Sequence, residues 1–190
     1  MVVPPPHAVM NDKRALRARL RGLRDTFVAS GGGAILPPAL FLDALRPGLV
    51  VASYVPIGSE ADPAAFDDAV RAASATLALP VVIDRTSPIR FAVAATLVAG
   101  PFGLRQPPAD AASVVPDIIL TPLVGFDAVG NRLGQGAGHY DRAFAEYPHA
   151  RRIGIAWEVQ AVAVLPADPW DVPLHAIVTE CDVRIFGDIL

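Results

Sequence analysis

Apolar positions along the chain fall into two patterns. Leu16, Leu20, Leu23 and Phe27 recur every three or four residues, which predicts a helix with those side chains as its buried stripe. Asn11 or Asp12 is placed to cap this helix, and Gly31-Gly32-Gly33 ends it near Ser30. A second short helix is predicted over Ala39–Leu45, stopped by Pro47-Gly48; further helices are predicted over Pro63–Ala73 and His139–Glu146. Between them lie apolar runs bounded by turn residues, which read as strands: Leu49–Val55, Leu77–Ile83, Ile89–Val93, Ile118–Thr121, Ile153–Trp157 and Ala176–Thr179. Runs such as VVASYV and DIIL lack polar alternation, so these strands are expected to be buried on both faces. The expected fold class is α/β, a three-layer sandwich with a mostly parallel or mixed sheet. Ligands of such open sheets sit beyond the carboxyl ends of the strands.

Composition narrows this further. With 190 residues, 53% hydrophobic and 18% charged, the chain is not disordered. At about 150 residues per domain it reads as one domain, residues 11–190, behind a flexible leader, residues 1–10. The single cysteine, Cys181, excludes an internal disulfide and a thiolate zinc cluster. The histidines at 7, 139, 149 and 175 show no zinc-binding spacing, and no G-x-S-x-G nucleophile elbow is present. No secretory signal is visible, and the longest uncharged run, Thr26 to Leu42, is broken by glycine and proline. A cytoplasmic protein without a membrane partner is therefore expected; a monomer or weak dimer is the expected state.

A net charge of −3 argues against a general nucleic-acid binder. Yet six of the sixteen basic residues lie between Lys13 and Arg24. At about 100° per residue, Lys13, Arg17, Arg21 and Arg24 share one flank of the first helix, while Arg19 points elsewhere. That flank reads either as a solvated face or as a set of cations reaching a bound phosphate. An RNA-binding reading would require steep salt dependence, and the acidic total and the lack of interleaved aromatics oppose it.

The segment DIILTPLVGFDAVGNRLGQGAGHYDR, Asp117 to Arg142, carries the most chemistry. A strand leads to Arg132, then to glycines at 134, 136 and 138, then to a helix opening at His139-Tyr140-Asp141-Arg142. Alternate glycines let successive backbone N–H groups turn toward one anion, and the helix adds its positive end. Arg132 adds a guanidinium fork. The bland reading is a glycine-rich turn and no more; neither the GxxxxGK[ST] loop nor GxGxxG is present. Asp141 reads either as a first-turn acid favoured by the helix dipole or as a carboxylate that holds Mg2+ beside a triphosphate. Glu60 follows a buried strand and faces the ligand edge, where it could accept from the N–H groups of a nitrogen heterocycle, while Asp62-Pro63 starts the next helix. Asp171 lies in the proline-stiffened loop LPADPWDVPLH and joins such a site only if that loop folds back to Asp141. Trp170 reads as a packing anchor or a ligand platform.

Four pieces in this order resemble the 5-formyltetrahydrofolate cyclo-ligase (methenyltetrahydrofolate synthetase) family: K-x-x-x-R at Lys13 to Arg17, Y-V-P-I-G-S-E, F-D-A-V-G-N-R-L-G-Q-G-A-G-H-Y-D-R, and L-P…W-D-V-P-L-H-A-I-V-T-E. The likeness runs from Lys13 to Glu180 and is thin between Asp84 and Val115. It implies a NagB/RpiA-like fold, ATP and Mg2+ as cofactors, and 5-formyltetrahydrofolate as a small-molecule substrate. By position it implies ATP contacts from Lys13, Arg17, Arg132, Leu133, Gly134, Gln135, Gly136, Ala137, Gly138, His139 and Tyr140, with Arg132 and Tyr140 catalytic. Val55, Glu60, Gln135, Gly136 and His139 would touch the folate, and Asp141 and Asp171 would hold Mg2+. In the implied reaction the γ-phosphoryl group is transferred to the formyl oxygen, giving an iminium phosphate. N10 then closes the ring to 5,10-methenyltetrahydrofolate and expels phosphate, with ADP as the other product. Such chemistry needs alignment and charge neutralisation rather than a protein nucleophile. The chain departs from the family pattern at Gln106, Ala137, His139, Trp170 and His175. A non-catalytic folate- or ATP-binding sensor and a sugar-phosphate isomerase of the same fold are the alternatives, since fold alone does not assign function.

Overall fold

The computed structural model describes residues 6–93 and 95–187. The helices are α1 (Pro6–Ala29), α2 (Ala39–Ala44), α3 (Ala64–Ala72) and α4 (His139–Glu146). The strands are β1 (Val50–Ala52), β2 (Thr76–Val81), β3 (Arg90–Ala92), β4 (Val98–Ala99), β5 (Arg105–Gln106), β6 (Ser113–Val114), β7 (Ile118–Pro122), β8 (Gly125–Phe126), β9 (Arg132–Leu133), β10 (Arg151–Ile155), β11 (Ala176–Val178) and β12 (Val183–Ile185). An eight-stranded sheet has the order β12-β11-β10-β7-β1-β2-β3-β6. Its five central strands, β11 to β2, run parallel, while β12, β3 and β6 add antiparallel edges.

The unbroken apolar runs belong to the parallel centre, where helices cover both faces. In β7 the side chains alternate: Ile118 and Leu120 enter one cluster, Ile119 the other. The first cluster joins Val51, Ile153 and Ile155 to Phe41 of α2, Phe66 and Val70 of α3, and Phe27 and Val28 of α1. Across the sheet, Ala52, Ala78, Phe91 and Ile177 pack with Ala143 and Phe144 of α4. Phe41 and Phe66 meet edge to face at 5.1 Å, and burying each such ring contributes about 2–3 kcal/mol before entropy is counted.

A third, smaller cluster decides where the site forms. After β7 the chain makes a hairpin, β8–β9, and α1 lies across it with Leu20 seated among Val124, Leu133 and Leu165. The hairpin turn is closed by the buried Asp127. Its carboxylate accepts from the amides of Val129 (3.1 Å), Asn131 (3.0 Å) and Leu165 (3.1 Å) and from Asn131 Nδ2 (2.9 Å). One acidic side chain thus fixes the turn from which Arg132 emerges and ties it to the loop before Asp168.

Three expectations about α1 change. Residues 1–5 of the expected leader lie outside the described residues, but the helix already includes positions 6–12, so Asn11 and Asp12 lie within it and do not cap it. Leu23 is exposed. The inward face runs instead through Lys13, Leu16, Arg17, Leu20, Arg24, Phe27 and Val28, so the basic flank is turned into the protein and is not a solvated face. The strands β4, β5, β6, β8, β9 and β12 have two or three residues each, too short to show a period in sequence.

Candidate active site

The parallel strands deliver their following loops to one edge, and the expected site residues gather there. From α1, the Lys13 ammonium lies 2.6 Å from Asp168 Oδ2 and 2.8 Å from Asp171 Oδ2. One turn on, Arg17 Nε donates to the Gly134 carbonyl at 2.9 Å, and its guanidinium carbon is 3.5 Å from where a Cβ on Gly136 would stand. A further turn on, Arg21 donates through Nη2 to Gln135 Oε1 at 2.5 Å. Gln135 in turn donates from Nε2 to Glu60 Oε1 at 2.8 Å. Glu60 is buried, and its second oxygen accepts from the Ile57 amide at 3.0 Å. A polar chain therefore links α1, the glycine loop and the loop after β1.

The loop itself needs its glycines where the backbone turns left-handed. Gly136 has φ +107° and Gly138 φ +67°, the latter as N-cap of α4. Gly134 is not left-handed. Ala137 offers its carbonyl to Arg142 Nη2 at 3.0 Å. His139 Nδ1 stands 3.1 Å from that same nitrogen, so its ring faces Arg142. Burial, then the Arg142 charge, pushes the His139 imidazole below its ordinary value, and it is held neutral near pH 7. The Leu133 side chain belongs to the cluster under α1, so only its backbone is left for a ligand.

Arg132, buried under α4, is held by three contacts. Nη2 donates to Asp141 Oδ1 at 2.7 Å, Nη1 donates to the Val172 carbonyl at 2.6 Å, and the guanidinium stacks 4.4 Å above the Phe144 ring. Asp141 thus turns toward a cation, and no side chain caps α4. The same guanidinium bridges α4 to the loop carrying Asp171, which settles that this loop folds back to Asp141. Tyr140 lies near Glu60 and Arg132. Burial first and the Glu60 carboxylate second push its phenol well up, with Arg132 opposing, so Tyr140 stays a neutral hydrogen-bonding group and cannot serve as a base. Val55 follows β1 half-buried at the same edge.

Burial would lower the Lys13 pKa, but hydrogen bonds and charge from Asp168 and Asp171 outweigh it and hold the ammonium above its ordinary value. Arg17 moves down through burial and the neighbouring Arg21. Among the described residues no group of three or more His, Cys, Asp or Glu side chains is placed to hold a metal. Two carboxylates, each now on a cation, suit Mg2+, which takes one or two carboxylates and completes its shell with phosphate oxygens and water. They do not suit a caged structural metal.

One site residue, Asp168, was missed in sequence. Asp168 had a signal: D-P-W-D is a turn with proline at its second position, and the Asp171 amide bonds back to the Asp168 carbonyl at 3.0 Å. Arg24, read on the basic flank, is buried with Nε on Ser59 Oγ at 2.9 Å, and Trp157 Nε1 donates to the Ser59 carbonyl at 3.0 Å, so the residue before Glu60 is gripped from two sides. Three of the departures from the family pattern turn out differently from a folate-side reading. The Gln106 amide pairs with both the N–H and the C=O of Val82 at 3.0 and 3.1 Å, a contact a carboxylate could not complete. His175 packs against Arg152, and Trp170 is exposed rather than an anchor.

Comparison with known proteins follows the same lines. The 5-formyltetrahydrofolate cyclo-ligase family model matches residues 9–180. The 5-formyltetrahydrofolate cyclo-ligase of Escherichia coli (strain K12) is 40% identical over 93 residues, 46% of this chain and 51% of that protein, so the match spans about half the length of that relative. The enzyme of the same name from Mycolicibacterium smegmatis is 34% identical over 143 residues, 70% of this chain and 74% of that protein. Among solved structures, 5,10-methenyltetrahydrofolate synthetase from Aquifex aeolicus superposes with a TM-score of 0.66 at 29% identity, covering 93% of each chain.

Proposed function

The chain belongs to the 5-formyltetrahydrofolate cyclo-ligase family, and from that premise we propose that it uses ATP and Mg2+ to cyclise 5-formyltetrahydrofolate to 5,10-methenyltetrahydrofolate, releasing ADP and phosphate. The observation that carries this reading is the meeting of α1 cations, the 134–138 loop, Asp141 and Asp171 at the carboxyl edge of the parallel sheet.

Each residue type has a task the reaction demands. Lys13, Arg17 and Arg132 offset the charge of the transferring phosphoryl group, and the loop amides of 134–138 hold the phosphates in line. Asp141 and Asp171 would hold Mg2+, which supplies further neutralisation when bound. Glu60 accepts hydrogen bonds from the substrate heterocycle, taking over the oxygen that Gln135 now fills. Tyr140, kept protonated, donates a hydrogen bond and leaves proton chemistry to the substrates. What the protein contributes is alignment of formyl oxygen, γ-phosphate and N10, so no covalent enzyme intermediate is needed.

The test is absorbance of the methenyl product from purified protein with 5-formyltetrahydrofolate, ATP and Mg2+. Product formation is expected, and its loss with EDTA; binding of both substrates without product would overturn catalysis in favour of a sensor. Glu60→Gln is expected to raise KM for the folate about 10- to 100-fold, the worth of a charge-assisted hydrogen bond, with KM for ATP changed less than about 3-fold. A larger effect on ATP would overturn the assignment of Glu60 to the folate.

A further inference from the structure

Lys13 stands in the site with two of its three N–H donors already engaged, one on Asp168 and one on Asp171. The carboxylates are not independent. Asp171 Oδ2 accepts from both Lys13 and the Asp168 amide at 2.8 Å, and the Asp171 amide returns to the Asp168 carbonyl, so the D-P-W-D turn presents both acids to one ammonium as a unit. Around Lys13 the count is one positive charge against two negative. Arg132 and Asp141 cancel. Arg17, near enough for the Asp171 charge to act on it, offsets part of that local excess, so what a triphosphate arriving alone meets is chiefly a lysine already spoken for.

The situation changes when the phosphates bring a divalent cation. Asp171 and Asp141 would then hold the metal, and Lys13 would keep Asp168 alone, leaving N–H groups free for phosphate oxygens. Asp168 matters most in the metal-free state, as the partner that holds Lys13 back and sets a second negative charge beside it. On the reading of this edge as an ATP site, we propose that Asp168 is a positioning residue for Lys13 that makes the site select the metal-complexed over the metal-free triphosphate. The Lys13 side chain is only 11% exposed, so water does little to screen this competition, while Asp168 sits in a loop and is 31% exposed, open to substitution without loss of the core.

Calorimetric titration of the full chain with ATP, once with Mg2+ and once with EDTA, tests this on the wild type, Asp168→Asn and Asp168→Glu. The wild type should bind Mg2+-complexed ATP and bind metal-free ATP far more weakly. Asp168→Asn should tighten metal-free ATP about 5-fold, the scale of one partly screened charge, and move the complexed form less than about 2-fold. Asp168→Glu should keep the wild-type ratio. Loss of a merely structural contact would weaken binding, so tighter binding in the variant separates the two roles. Unchanged or weaker metal-free binding by Asp168→Asn, with a wild type that binds the complexed form, would overturn the role of Asp168 alone. A wild type that binds ATP in neither condition would overturn the ATP reading and this role with it.

Discussion

Asp67 sits in the first turn of α3, but its carboxyl is largely drawn out of water. Ser53 faces it from the chain after β1 as a hydrogen-bonding neighbour. Burial raises the carboxyl from 3.8 to about 6; Ser53 and Arg71 pull it partly back, while Asp62 and Asp68 add to the rise. Because the folded pKa lies above the unfolded one, the folded state holds the proton more tightly. Its stabilising effect is fully present below about pH 4 and is lost as pH rises through 6. Asp67→Asn should therefore be stabilising at pH 7.5, by about 1–2 kcal/mol after discounting for partial exposure, or roughly 2–8 °C in Tm, and nearly neutral at pH 4.5. Thermal melts at the two pH values check this, and an equal shift at both would refute it. Nothing in F-D-D-A marks Asp67 as different from Asp68; the distinction comes only from which side of α3 meets the sheet.

At the scale of elements, α1 shows what a sequence pattern carries and what it hides. Leucine spacing identified the helix, and angular arithmetic grouped Lys13, Arg17, Arg21 and Arg24 correctly, since all four reach the site or the loop beside it. What the spacing could not tell was which flank turns inward. Apolar residues alone put Leu23 inside; the structure puts Arg24 there, its guanidinium finding Ser59, and leaves Leu23 exposed. The same cations make α1 dependent on its seat. Leu20 is the anchor of the small cluster with Val124, Leu133 and Leu165. Leu20→Ala should cost about 2–5 kcal/mol in denaturant unfolding, and KM for ATP should rise more than KM for the folate, because the helix presents Lys13 and Arg17 from that seat. Lost stability with an unaltered KM for ATP would mean that the cations are positioned by their carboxylate and carbonyl partners alone.

Across the whole molecule, the parallel centre of the sheet was legible because double burial leaves uninterrupted β-branched runs, and the site edge followed from it. Of the antiparallel margins, β3 was legible as the run Ile89–Val93, while β6 and β12, of two and three residues, were not, since strands so short are made by their partners and carry no period of their own. The convergence of three distant segments was legible only as a conditional: Asp171 joins if its loop folds back. Asp127 and Arg132 make it do so, the one by holding the Leu165 amide and the other by holding the Val172 carbonyl. A ligand bridging these segments should tie them together dynamically. At about 100 times its Kd, Mg2+-complexed ATP should stabilise the fold by about 2.7 kcal/mol, or roughly 5–10 °C in Tm. Hydrogen exchange should slow together in residues 13–21, 134–141 and 168–172, three stretches with no sequence proximity to explain a shared response. Protection confined to 134–141 would mean that the glycine loop binds phosphate by itself, and that Lys13 and Asp171 stay paired with each other throughout the reaction.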